Sequence, residues 1–77
     1  MKSPAFVIKR SVSIAGHRTS VSLEAAFWES LRDLAAARSV SMQALIGEID
    51  AARGEQNLSS AIRVYILNAL KDRAEVA

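Results

Sequence analysis

The chain has 77 residues, room for one domain. Half of the residues are hydrophobic (51%) and 23% are charged, which excludes a disordered chain. There is no cysteine, which excludes a disulfide framework and a thiolate zinc site. The net charge is only +2 but uneven: residues 1–18 hold Lys2, Lys9, Arg10 and Arg18 with no acid, while residues 19–56 hold six acids against Arg32, Arg38 and Arg53. A basic N-terminal segment on a near-neutral body points to an anionic partner for that end, or simply to a solvated basic tail.

Residues 6–14 alternate with a period of two. Phe6, Ile8, Val12 and Ile14 share one face, interrupted by Arg10; Val7, Lys9, Ser11 and Ser13 share the other. That pattern predicts a strand. Ala15-Gly16 is a two-residue turn candidate. Residues 18–23 alternate again, with Arg18, Ser20 and Ser22 on one face and Thr19, Val21 and Leu23 on the other.

From Glu24 the period becomes helical. Phe27, Leu31, Leu34 and Ala35 recur at three- and four-residue spacing, with Trp28 beside them, and predict a helix over 24–38. Ser39-Val40-Ser41 is a short link. Ser41 is a fitting N-cap for a second helix over 42–53, with Leu45, Ile46 and Ile49 inward and Gly54 as its stop. Asn57-Leu58-Ser59 opens a third helix over 59–73 through Ile62, Tyr65, Ile66 and Leu70. Val64 and Leu67 widen its apolar surface beyond one stripe, as in a helix buried on more than one side or packed on a partner chain. The expected core is Thr19, Val21, Leu23, Phe27, Trp28, Leu31, Leu34, Leu45, Ile46, Ile49, Ile62, Tyr65 and Ile66. A core this small favours oligomerisation.

The apolar runs fall short of a membrane span, and Lys9 and Arg10 interrupt any signal-peptide core. With no cysteine, the expected location is cytoplasmic. The catalytic inventory is thin. His17 is the only histidine and has no carboxylate placed to orient it, so the expectation is a surface role. Glu48 and Asp50, two apart on a helix, do not face each other. There is no glycine-rich phosphate loop. No enzyme activity, metal or cofactor is expected.

A strand, Arg18-Thr19-Ser20-Val21-Ser22-Leu23, that runs directly into two short helices joined by Ser39-Val40-Ser41 resembles the ribbon-helix-helix family over residues 17–53. The Lys9-Arg10-Ser11-Val12 and Gly16-His17-Arg18-Thr19-Ser20 pattern is similar to a bacterial subfamily of small proteins with an additional C-terminal helix. The resemblance implies a mainly α fold with a short β segment: an intertwined homodimer whose N-terminal strand or hairpin is followed by three helices. Residues 1–16 would be a basic arm or first hairpin strand, 17–53 the core motif and 54–77 the added helix. The implied function is sequence-specific binding of double-stranded DNA by a transcriptional regulator, in which two chains pair one strand each into an antiparallel β-ribbon that enters the major groove.

The resemblance assigns base contacts to Arg18, Ser20 and Ser22. It assigns backbone contacts to Lys9, Arg10 and His17, and to Ser41 and Met42 at a helix N-terminus that offers free N–H groups to phosphate. An alternative is a dimeric interaction module or antitoxin whose helix 59–73 binds a partner protein.

Two features depart from the family pattern. Serine stands at position 39, where glycine is common. Residues 6–14 could pair with 18–23, and a dimer sheet would then have four strands spanning roughly 14 Å between outer backbones. The groove is about 12 Å wide. The segment is then a mobile arm touching phosphate, a strand bent away from the ribbon, or part of a real sheet that does not insert into DNA.

Overall fold

The computed structural model describes residues 6–76. Lys2 of the basic segment, with the rest of residues 1–5 and residue 77, lies outside the described part, as do the side chains of Glu75 and Val76. Two strands, β1 (Val7–Ile14) and β2 (His17–Glu24), are followed by three helices, α1 (Ala25–Ala37), α2 (Met42–Ala52) and α3 (Leu58–Val76). The strands form one antiparallel two-stranded sheet with Ser11 opposite Ser20. Residues 6–14 are therefore the first strand of a hairpin rather than an arm.

The hairpin closes through Ala15 (φ 52°) and Gly16 (φ 83°). Positive φ at both central residues is the signature of the type I′ turn, whose twist matches that of the flanking strands. Glycine takes this conformation freely, whereas Ala15 holds it at a cost of roughly 1–2 kcal/mol.

One face of the hairpin lies on the helices. Val21 and Leu23 are fully buried, and Ile8, Val12 and Ile14 are half-buried beside them. α1 contributes Trp28, Leu31, Leu34 and Ala35; α2 contributes Leu45, Ile46 and Ile49; α3 contributes Ala61, Ile62 and Ile66. The Trp28 indole N–H donates to the Ile8 carbonyl at 2.9 Å, which ties α1 to β1. Thr19, Phe27 and Tyr65, expected in the core, sit at its margin and are only partly buried. Phe6, expected on the inward face, precedes β1 and is exposed. The alanines Ala25, Ala35 and Ala61 are buried within the core. α3 packs against α2, α1 and β2, so the added helix completes the core.

Three of the helix boundaries have a clear local cause. The Ser41 hydroxyl accepts from the Ala44 N–H at 3.0 Å and caps α2. The Asn57 side chain accepts from the Ser60 N–H at 3.2 Å and does the same for α3. α1 ends in a Schellman motif. The Val40 N–H donates to the Ala35 carbonyl and the Ser39 N–H to the Ala36 carbonyl, both at 3.0 Å, with Ser39 left-handed at φ 57°. Ser39 thus adopts a left-handed conformation that glycine takes more freely.

Candidate nucleic-acid interface

The register sorts the hairpin side chains into two faces. Cross-strand partners point the same way. The face away from the helices carries the pairs Lys9–Ser22, Ser11–Ser20 and Ser13–Arg18, with Val7–Glu24 at the open end. Lys9, Ser11, Ser13, Arg18 and Ser20 are exposed and Ser22 is half-exposed. The middle of this face is therefore a ribbon of four short hydroxyls with one cation from each strand. Hydroxyls donate or accept as required, and a guanidinium offers a fork of donors.

The sequence-predicted site residues divide between the two faces. Arg18, Ser20, Ser22 and Lys9 come together on the outer face. Arg10 and His17 lie on the opposite, helix-facing side, since their partners are Val21 and Ile14. The Arg10 guanidinium stacks over the Trp28 ring at 5.1 Å, a cation–π contact that extends the α1–β1 junction. His17 lines a cleft with Ile14, Thr19, Asp50 and Arg53. Met42 stands by Ile8, Arg10, Trp28 and Arg32 at the far end of α2. The Ser41 hydroxyl is engaged as a cap. The first N–H groups of α2 have no partner within the helix.

Ser11 and Ser13 were not among the sequence-predicted site residues. The signal for them was the alternation that puts them on one face with Lys9. What it lacked was the register, which sets them opposite Ser20 and Arg18.

At the open end of the hairpin, α3 reaches back to β2. The Arg63 guanidinium lies 3.0 Å from the Glu24 carboxylate and stacks over Phe27 at 5.7 Å. The Glu24 carboxyl is held below the usual carboxylate range, first by its own backbone N–H and next by Arg63. This ion pair neutralises the acid that borders the polar face. Among the described residues, no group of three or more His, Cys, Asp or Glu could hold a metal ion, and no helix is long and apolar enough to cross a membrane.

A hairpin with an exposed hydroxyl-and-cation face, set on a helical body, is the architecture of a ribbon-type protein. A family model described as the ribbon-helix-helix domain matches residues 7–70, from the first residue of β1 into the last turns of α3, and the chain belongs to that family. Its members are in general non-enzymatic DNA-binding regulators or antitoxins, typically dimeric. No curated protein and no solved structure matches the chain.

Proposed function

We propose that this protein is a sequence-specific DNA-binding transcriptional regulator, acting as a homodimer in a bacterial cytoplasm. Its dimer inserts an antiparallel β-ribbon into the major groove, with the face that carries Arg18, Ser20 and Ser22 toward the bases. The observation that carries this reading is the cross-strand set Lys9–Ser22, Ser11–Ser20 and Ser13–Arg18, exposed on a two-stranded ribbon. Two strands spaced about 4.8 Å apart fit a groove about 12 Å wide. Arg18 donates a bidentate pair to guanine, and Ser20 and Ser22 bond base edges. Lys9 neutralises phosphate at the ribbon flank, and the N-terminus of α2 at Ser41 and Met42 anchors a further phosphate through main chain. Arg10 and His17, on the helix-facing side, reach only a DNA strand that rises past the ribbon edge.

The test is fluorescence anisotropy of a labelled duplex from the gene's own upstream region, with wild type and Arg18→Ala at two salt concentrations. The expected result is salt-sensitive binding, with Arg18→Ala losing roughly 1–3 kcal/mol on that duplex and little on random DNA. Equal losses on both duplexes would reduce Arg18 to a phosphate contact. No binding by wild type at low salt would end the reading.

A second reading, an antitoxin-like module, has its own observation. On the outer side of α3, Val64, Leu67 and Leu70 are 44%, 55% and 47% exposed, and they line an apolar groove with Phe27 and Ile66. An adjacent overlapping gene for a small toxin-like protein, and co-purification of its product, would favour this reading.

A further inference from the structure

The Ala25 N–H donates to the Phe6 carbonyl at 3.0 Å, and this contact sets the alternation of the ladder. By that alternation the backbone groups of Arg18, Ser20 and Ser22 turn away from β1, toward the edge where a second chain's strand pairs in a dimeric ribbon. At Ser22 this edge is bordered by α3. The Ser22 N–H donates to the Ser59 hydroxyl at 3.3 Å, and the Arg63 guanidinium donates to the Ser22 carbonyl at 3.5 Å. A partner strand on β2 therefore lies beside α3. Strand pairing by itself adds little apolar burial. Val21 and Leu23 are already 0% exposed within one chain, and the outward residues of β2 are an arginine and two serines. Two paired strands without an apolar contact are marginal at best. Leu31, Leu45 and Ile46 are likewise closed off inside the protomer.

Apolar surface for a partner remains on α3. Among the described residues the exposed large hydrophobics are Phe6, Val7, Val64, Leu67 and Leu70, and the last three recur at three-residue spacing along one side of the helix. With Phe27 they line an apolar groove, and Arg63, which borders the pairing edge at Ser22, lines the same groove. The groove is thus continuous with that edge. Arg63 is the one charged side chain of its lining, and Glu24 neutralises it at 3.0 Å. A twofold contact sets a surface against its own copy, where an unpaired charge would be repelled. On the dimeric DNA-binding reading above, we propose that a second copy of this chain covers the groove. Phe27, Val64, Leu67 and Leu70 are the apolar part of a dimer interface whose polar part is the paired β2 edge. The added helix then ties dimerisation to the strand that carries Arg18 and Ser20.

Two measurements test this. The chain has no cysteine, so an introduced thiol reports on its own position. Leu67 is 55% exposed within one chain, and Ser13 stands exposed on the outer face of β1. In the native dimer a maleimide should alkylate Leu67→Cys at least about tenfold more slowly than Ser13→Cys, because reaction then waits for the interface to open. In strong urea the two should react alike. Equal rates in the native dimer would overturn the proposal.

The second measurement sets Leu67→Glu beside Arg18→Ala, each followed by sedimentation and by anisotropy of the labelled duplex. A carboxylate placed in the groove should weaken the dimer about 100-fold or more, and DNA binding should be lost with it. Arg18→Ala should lose the binding and still sediment as two chains. If Leu67→Glu stays dimeric and binds DNA, the groove is open to a different protein: the proposal is wrong and the DNA-binding reading stands. If wild type binds no DNA while Leu67→Cys is protected in a dimer, the interface stands and the DNA-binding reading falls. If wild type sediments as one chain, both fall. Where Leu67→Glu does not fold, the thiol rates decide.

Discussion

At the scale of single residues, the chain carries backbone cost at known places. Ser39 is left-handed at φ 57° in the Schellman turn that ends α1. Glycine there relieves most of a penalty of roughly 1–2 kcal/mol, offset by the larger entropy it brings to the unfolded chain. Ser39→Gly is therefore expected to stabilise the fold by about 1 kcal/mol, read as a rise of roughly 4–8 °C in the thermal midpoint of a domain this size.

Glu24 makes a prediction in pH. Its carboxyl is lowered by its own backbone N–H and by Arg63. A depressed folded value means that the unfolded chain binds the proton more readily. The stability from this ionisation is complete above the ordinary carboxylate range and is lost as pH falls through the lowered value. Urea unfolding across the acid range should show a shallower loss for Glu24→Gln than for wild type. Identical slopes would place the acid sensitivity on other carboxylates.

At the scale of elements, α3 has two faces with different duties. Ile62 is fully buried in the shared core, and Ile62→Ala should cost roughly 2–5 kcal/mol. Leu67, on the other side, is 55% exposed. The proposed homodimer needs a surface, and this stripe is continuous with Phe27 in one apolar groove. Sedimentation of Leu67→Glu is expected to give the mass of one chain where wild type gives two. A dimer that persists would place the contact elsewhere and leave the groove to a partner protein.

The hairpin has a similar division of labour. Ile8, Val12 and Ile14 pack inward, while Lys9, Ser11 and Ser13 stand in solvent. One strand thus serves both the core and the candidate interface because its side chains alternate.

At the scale of the whole molecule, β2 is held on both sides, by β1 through the ladder and by α3 through Ser59 and Arg63. The polar face is therefore mounted on a strand whose position depends on the last helix. Truncation after Gly54 removes Ala61, Ile62 and Ile66 from the core and the Ser59 contact from the strand. The truncated chain is expected to lose its cooperative unfolding transition, as followed by circular dichroism. Retention of a cooperative transition would show that residues 1–54 fold without α3.

The elements themselves were legible in the sequence, because they follow from short-range physics. Alternation over 6–14 and 18–23 marked both strands, and three- and four-residue spacing marked all three helices. Ser41 announced the start of α2 by its capping chemistry, and Asn57-Leu58-Ser59 marked the opening of α3. The same alternation placed Arg18, Ser20 and Ser22 on one face. Only tertiary structure decided what that face adjoins. Period-two logic separates Lys9 from Arg10, but it does not say which of them meets the helices. The register with β2 and the packing of Trp28 sent Arg10 inward and left Lys9, Ser11 and Ser13 with the candidate site. The docking of α3 on β2 rests on contacts between residues 37 and 39 positions apart, Ser22–Ser59 and Glu24–Arg63. Periodicity and capping act over a few residues, whereas the pairing of distant segments is settled by the shape of the shared core, which no local pattern encodes.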